Sequence, residues 1–374
     1  MNKLGFGTMR LPMPNPKEPS AVDMDAVCRL VDRFLEKGCT YFDTAYVYHG
    51  GESERIVRKA LVERHPRESF TIADKMPVFN LTEATEEEQA RIFEEQLEKC
   101  GVDYFDYYLV HSLYADTYET AKRLRTFAYL EEQKAQGRIR QLGFSFHDTA
   151  EVLEQILTDH PHVDFVQLQL NYLDWEDERI QSRKCYETAR RFGIPITVME
   201  PVKGGKLSAV PEEVTAAMTG LHPDWTPSAW AVRYVAGLEG VQTVLSGMNA
   251  LSQIDDNAAN LQDTPPMTAE EREVLRYAAD VLSRLPAIGC TACRYCVEGC
   301  PSRIPIPDLF SLYNSDQLLL RCGKPVRTDC YQQQTAGGGL ASQCVECRQC
   351  ETICPQHLPV IKWLKRVSGL YEKA

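Results

Sequence analysis

Residues 139–170 read IRQLGFSFHDTAEVLEQILTDHPHVDFVQLQL. Residues 139–144 fit a strand, 149–158 a helix and 165–170 a second strand. A strand, a helix and a strand in so short a stretch imply a parallel βαβ unit. The same alternation continues on both sides. Upstream, strands are expected at 4–8, 40–43, 70–73 and 104–110. Helices are expected over 23–37, 53–63, from Thr85 onward and over 117–136. Thr85 and Glu88 have the spacing of a capping box. Downstream come a helix over 177–192, a strand at 194–199, a loop over 200–226, a helix over 227–237, a strand at 241–245 and a helix over 250–261. Eight strand–helix pairs in about 260 residues predict a (β/α)8 barrel. A doubly wound sheet would want a G-x-G-x-x-G turn after the first strand, and the sequence has none.

Composition narrows the class. The chain has 374 residues, 44% hydrophobic and 25% charged, which is ordinary for a globular protein and unlike a disordered, collagen-like or coiled-coil chain. No apolar run reaches the roughly 18 residues of a membrane span. The start lacks a basic region followed by an apolar stretch, so a cytoplasmic location is expected. A net charge of −12 argues against a nucleic-acid partner.

The 14 cysteines are unevenly placed. Cys28, Cys39, Cys100 and Cys185 lie before residue 290, and ten lie after it. Residues 290–374 carry ten Lys/Arg against seven Asp/Glu, a net of +3, which leaves −15 for the rest. The expected division is a barrel over 1–262, a linker and connecting helix over 263–289, and a cysteine-rich domain over 290–374. Pro265 and Pro266 break the chain, and Thr268 with Glu271 opens a helix carrying Val274, Ala278, Val281 and Leu285 on one face.

Barrels keep their chemistry at the C-terminal ends of the strands. Strand 2 ends at Asp43 with Tyr48 beyond it, strand 3 runs into Lys75 and strand 4 ends at His111. Each residue alone is unremarkable, since a strand-end Asp usually caps a helix and a lone His is usually a satisfied core or surface group. Four such groups at successive strand ends are much harder to dismiss.

These residues sit in stretches that resemble the aldo-keto reductase family: GFGTMRLP at 5–12, YFDTAYVYHGGESE at 41–54, ADKMP at 73–77, YYLVHSL at 107–113, IRQLGFSFHD at 139–148, FVQLQLNYLD at 165–174 and, less closely, VLSGMNALSQIDDN at 244–257. The resemblance implies an NAD(P)H-linked reductase of small carbonyl compounds, with alcohols as the reverse substrates. Tyr48 would be the general acid, Lys75 would lower its pKa, Asp43 would position Lys75, and His111 would hydrogen-bond the carbonyl. Ser145 and Gln167 would hold the nicotinamide carboxamide, and Thr8, Met199, Gly247, Gln253 and Asn257 would join the nucleotide site. Some positions depart from the family. Phe146 stands where an Asn is usual, and Met199 where a ring-stacking Tyr is usual. Gly247 and Gln253 stand where relatives place cations on a 2′-phosphate, which leaves NADH and NADPH both open. Lys203 and Lys206, in the 200–226 loop, read as solvated lysines or phosphate contacts.

The tail carries the strongest motif. Cys290-x2-Cys293-x2-Cys296-x3-Cys300-Pro301 is repeated as Cys344-x2-Cys347-x2-Cys350-x3-Cys354-Pro355. This is the ferredoxin run for [4Fe–4S] clusters, in which the fourth cysteine ligates the other cluster. Cys290, Cys293, Cys296 and Cys354 are expected on one cluster, and Cys344, Cys347, Cys350 and Cys300 on a second. Structural zinc usually takes paired C-x2-C units instead. Cys322 and Cys330, between the runs, read as spare buried thiols beside helices near 309–320 and 325–334. Nicotinamide moves two electrons and a cluster moves one, so three arrangements are open. The clusters exchange electrons with a ferredoxin-like partner, they feed the barrel directly or through a flavin for which no motif is legible, or they are structural.

Overall fold

A computed structural model describes residues 2–14, 21–284, 288–321 and 326–372. The chain divides into two compact units, Met1–Val202 with Ala216–Leu275 and Lys203–Thr215 with Arg276–Ala374. Among the described residues no helix is long and apolar enough to cross a membrane.

The first unit is the barrel that the alternation predicts. Its strands are β1 Leu4–Gly7, β2 Tyr41–Asp43, β3 Thr71–Met76, β4 Phe105–Leu113, β5 Ile139–Phe146, β6 Phe165–Gln169, β7 Ile196–Met199 and β8 Val241–Ser246. They close in sequence order, and every pairing is parallel. Outward side chains such as Phe6, Phe42, Ile72, Tyr108, Phe144 and Val198 join the helices in the main core. Tyr41, Ala73, Leu109, Phe165 and Leu245 form a separate cluster, with Tyr107 packed against it. This cluster is an aromatic plug in the lumen: Tyr107 lies 4.7 Å from Tyr41 and 5.5 Å from Phe165, ring to ring. Gly143 makes room for it, because a Cβ there would stand 2.7 Å from the Phe165 ring.

Local signals set several helix ends. Helix Glu86–Cys100 opens with the expected capping box, in which Thr85 Oγ1 accepts from the Glu88 N–H and Glu88 Oε2 from the Thr85 N–H. It closes at Gly101 in the left-handed region. Helix Ala269–Ser283 opens with the second expected box, Thr268 with Glu271. Leu285, expected on its face, lies outside the described residues.

Three expectations are corrected. The helix over 117–136 is two, Ala115–Arg123 and Thr126–Ala135, broken where Arg125 takes a φ of 49°. The helix over 177–192 is only Ser182–Arg191, because Gln181 is left-handed just before it. The 200–226 loop contains the helix Glu212–Leu221, which buries Val214 and Met218.

The second unit is helical. Helices Ile306–Arg321, Thr328–Thr335 and Val360–Tyr371 surround a core that includes Ile306, Phe310, Tyr331, Leu364 and Tyr371. Buried Asp316 accepts from the Arg327 Nε at 2.6 Å and from the Tyr371 hydroxyl at 2.8 Å. Two short helices repeat, Tyr295–Glu298 and Gln349–Thr352, each behind a left-handed arginine, Arg294 and Arg348. Lys203 belongs here and is buried rather than solvated, with its Nζ 3.3 Å from Gln356 Oε1. Lys206 Nζ donates to the Ile288 carbonyl at 2.5 Å. Cys330 is half-buried and packs against this core, while Cys322 lies outside the described residues.

Candidate active site

Residues two apart on a strand share a face. Two steps on from Tyr41, Ala73, Leu109, Gly143 and Phe165 in the lumen stand Asp43, Lys75, His111, Ser145 and Gln167. The alternation therefore lifts all five into one layer at the C-terminal rim. Tyr48 comes from the turn Tyr48–Gly51, where His49 and Gly50 take positive φ. His49 Nε2 pins this turn to the Thr8 carbonyl at 2.8 Å. Thr8 does not face the rim with an unused hydroxyl. It donates to the Asp43 carbonyl at 3.0 Å and contacts Ser53 Oγ at 2.9 Å, which contacts Thr44 Oγ1 at 2.8 Å.

Lys75 is fully buried. Its Nζ donates to Asp43 Oδ1 at 2.6 Å and to the Thr44 carbonyl at 2.5 Å, and lies 5.0 Å from the centre of the Tyr48 ring. Burial pushes the Asp43 carboxyl above the usual carboxylate range, and Lys75 opposes that shift. The remaining oxygen, Asp43 Oδ2, is buried with no hydrogen-bond partner.

His111 is not at the end of its strand. β4 runs on to Leu113 through a register shift between Val110 and Leu113, with Ser112 at a φ of 57°. The His111 ring lies 6.0 Å from the Tyr48 ring and 5.2 Å from Phe79. Burial drives its pKa well below the usual histidine value, and the neighbouring Lys75 and His147 push the same way. His111 is therefore a neutral imidazole near pH 7.

The nucleotide candidates are placed unevenly. Ser145 Oγ accepts from the Ser112 N–H at 2.7 Å, which leaves its own proton to donate. Gln167 Nε2 reaches Met199 Sδ at 3.5 Å, and its Oε1 is buried without a hydrogen-bond partner. Asn257 Nδ2 donates to Ser246 Oγ at 3.1 Å. Gln253 is occupied at a helix start, where its Oε1 accepts from the Asn249 and Ala250 N–H groups. Against Gly247 lies the Arg10 side chain, 3.0 Å from where a Cβ would stand. Arg10 was not singled out in the sequence, although it lies inside GFGTMRLP.

A second group missed in the sequence holds Lys75 from outside the barrel. The Lys75 N–H donates to Asp74 Oδ1 at 2.8 Å, and its carbonyl accepts from Gln96 Nε2 at 3.0 Å. Gln96 Oε1 accepts in turn from the Tyr108 hydroxyl. Glu54 packs here too, 3.4 Å from Lys99 Nζ. Burial raises the Asp74 carboxyl far above its ordinary range, and neighbouring Glu54 adds to the rise. The readable signal was a carboxylate on an outward position of an otherwise apolar strand.

In the second unit the cysteines gather around two cavities. One is lined by Cys290, Cys293, Cys296 and Cys354. The other is lined by Cys300, Cys344, Cys347 and Cys350. Among the described residues no three His, Cys, Asp or Glu side chains close around a single ion.

Residues 3–275 match the aldo/keto reductase family. The chain belongs to that family. Residues 289–361 match a 4Fe-4S dicluster domain. The chain is 28% identical over 218 residues to aldo-keto reductase str7 of Strobilurus tenacellus, covering 56% of this chain and 60% of that one. It is 24% identical over 302 residues to the NADH-specific methylglyoxal reductase of Escherichia coli, covering 68% of this chain and 88% of that one. It thus spans less than two thirds of the first relative's length. Among solved structures, the holo form of aldo-keto reductase AKR11C1 from Bacillus halodurans superposes with a TM-score of 0.59 at 25% identity, covering 74% of this chain and 91% of that one.

Proposed function

We propose that the barrel moves hydride between NAD(P)H and a small carbonyl or alcohol substrate, and that the second unit carries two [4Fe–4S] clusters for electron transfer. Along the sequence the proposed domains are 1–262, 263–289 and 290–374, with Lys203–Thr215 joining the second compact unit. The observation that carries the first part is the buried convergence of Asp43, Lys75, Tyr48 and His111. The reductase names of the relatives support it.

The dinucleotide, when bound, supplies the hydride. The Tyr48 hydroxyl gives a proton to the carbonyl oxygen. Lys75 favours the phenolate left behind, and Asp43 holds Lys75 beneath the ring. Neutral His111 hydrogen-bonds the same oxygen and orients it. Ser145 offers a donor and Gln167 Oε1 an unclaimed acceptor, a pair that fits a carboxamide. Met199 packs beside them. Thr8 and Gln253 act through the backbone they fix, and Gly247 and Asn257 line the adenosine side.

The two four-thiol cavities fit the clusters. Cys290, Cys293, Cys296 and Cys354 would hold one, and Cys300, Cys344, Cys347 and Cys350 the other. Each cavity takes three cysteines from one run and the last from the other run.

Tyr48→Phe is expected to lower carbonyl reduction by at least about a hundredfold while leaving nucleotide binding and the visible absorbance of the clusters unchanged. Retained turnover refutes the role of Tyr48. Turnover on a reduced low-potential donor without nicotinamide would replace this reading by a cluster-fed reduction. Parallel titrations with NADH and NADPH decide the nucleotide.

A further inference from the structure

The two cysteine cavities differ in exposure. Every described residue lining the Cys290 cavity is buried or half-buried. Five residues lining the Cys300 cavity are exposed: Pro301, Val345, Cys347, Arg348 and Gln349. Val345 is 64% exposed, the most exposed large hydrophobic side chain among the described residues, and Leu340 beside this run is also exposed. Ile306, itself buried, lines both cavities. One cluster site thus has exposed side chains in its wall, the other is lined only by buried and half-buried ones, and Ile306 is common to both.

The charges around the open site are mostly positive. Arg303 and Arg348 are exposed beside it. Helix Val360–Tyr371 turns Ile361 and Leu364 into the cavity wall and leaves Lys362, Lys365 and Arg366 exposed. The opposing carboxylates are Glu346, paired with Lys365 at 2.7 Å, and Glu351, which accepts from the Ile361 N–H at 3.0 Å. Counted with its thiols neutral, the domain over 290–374 is net +3; the thiolate-held clusters are anionic and offset that excess, so the attraction rests on the basic side chains around the open wall.

Resting on the cluster reading above, we propose that the Cys300–Cys344–Cys347–Cys350 site is the electron port of this protein, and that the surface of Val345, Leu340, Arg303, Arg348 and Lys362 docks a small acidic one-electron carrier protein. Electron transfer weakens steeply with distance, so the cluster whose wall includes the exposed Cys347 exchanges electrons, and the one lined by buried and half-buried side chains receives them past Ile306. The apolar Val345 and Leu340 give a dry centre, and the arginine and lysine rim gives steering. Small, weak interfaces of this kind are usual for redox encounters. An acidic carrier is attracted by the exposed Arg303, Arg348 and Lys362 around this site. Each step moves one electron. The carrier is oxidised and the outer cluster reduced, then the outer cluster is reoxidised as the inner one is reduced. One protein with both clusters oxidised therefore consumes two reduced carriers.

The test uses the full chain, purified without oxygen. Iron and sulfide are counted first. Eight of each per chain are expected from two cubanes, and their absence removes the cluster reading itself. With clusters present, a reduced acidic ferredoxin is mixed with the protein in a stopped-flow instrument, and binding of the oxidised ferredoxin is followed by calorimetry. The expected result is two ferredoxins oxidised per chain, with a rate that falls as salt is raised. Arg303→Glu combined with Lys362→Glu should slow the reaction and weaken binding by about tenfold or more, while reduction by methyl viologen radical is unchanged. Val345→Glu should act like the double variant at full iron content. Unchanged ferredoxin kinetics in both variants, a rate indifferent to salt, or a faster reaction with a basic carrier overturns the port with the clusters still in place.

Discussion

Asp43 and Lys75 stand on each other's account. Asp43 lies fully buried beside one ammonium, and burial already strains its ionised form. Removing one partner of such a pair costs about 3–5 kcal/mol, because it leaves a buried charge uncompensated. Lys75→Met is expected to cost that much in chemical denaturation, whereas Lys75→Met with Asp43→Asn recovers most of it. Additive losses would argue that the pair is not coupled. His111 gives a pH signature. The folded protein keeps it neutral, so below about pH 6.5 the unfolded chain binds one proton more. Stability should then fall as pH drops through that value, by up to about 1.4 kcal/mol per pH unit from this group. His111→Gln should flatten that slope between pH 6.5 and 5, and equal slopes in both proteins would contradict the assignment. At this scale the sequence was largely legible. Period-two spacing places Asp43, Lys75, Ser145 and Gln167 together once the strands are recognised. His111 follows the same spacing from Leu109, but the run of β4 on to Leu113 past a left-handed Ser112 is not announced by composition.

The elements that carry these residues were legible to the extent that local chemistry marks them. Thr85 with Glu88 and Thr268 with Glu271 are caps that a reader can see, and both helices begin there. The breaks at Arg125 and Gln181 were invisible, because neither residue is one that usually takes a left-handed conformation. Strand β3 has a support that a strand pattern does not show. Asp74 and Gln96 satisfy the N–H and C=O of Lys75, so they fix where that ammonium begins. Gln96→Leu leaves the Lys75 carbonyl and the Tyr108 hydroxyl without their buried partner. We expect a loss of about 1–3 kcal/mol and a fall in kcat with nucleotide binding unchanged. Asp74→Asn should be tolerated, since the raised pKa already favours a protonated, uncharged group there. Full activity in Gln96→Leu, measured alongside its melting curve, would show that the support is structural only.

For the whole molecule, the cysteine spacing announced the cluster domain plainly, because ligand chemistry fixes spacing more tightly than packing fixes helix length. Less legible was that Lys203–Thr215 would belong with it. A buried Lys203 and a Gly204 pressed against Thr291 are tertiary facts without a local sequence mark. Metal sites of this kind couple binding to folding. Stripping iron with an anaerobic chelator is expected to abolish hydrogen-exchange protection over 288–321 and 326–371, and to leave the protection of β1 to β8 in place. Protection that persists in both regions would mean that the second unit holds its fold without metal. The aromatic plug in the lumen has a kinetic meaning. With Tyr41, Tyr107 and Phe165 closing the barrel from below, the rim is a cup with one door. Two ligands that share such a cup cannot pass each other, so the proposed dinucleotide and carbonyl substrate are expected to bind in a fixed order, which product-inhibition patterns would check.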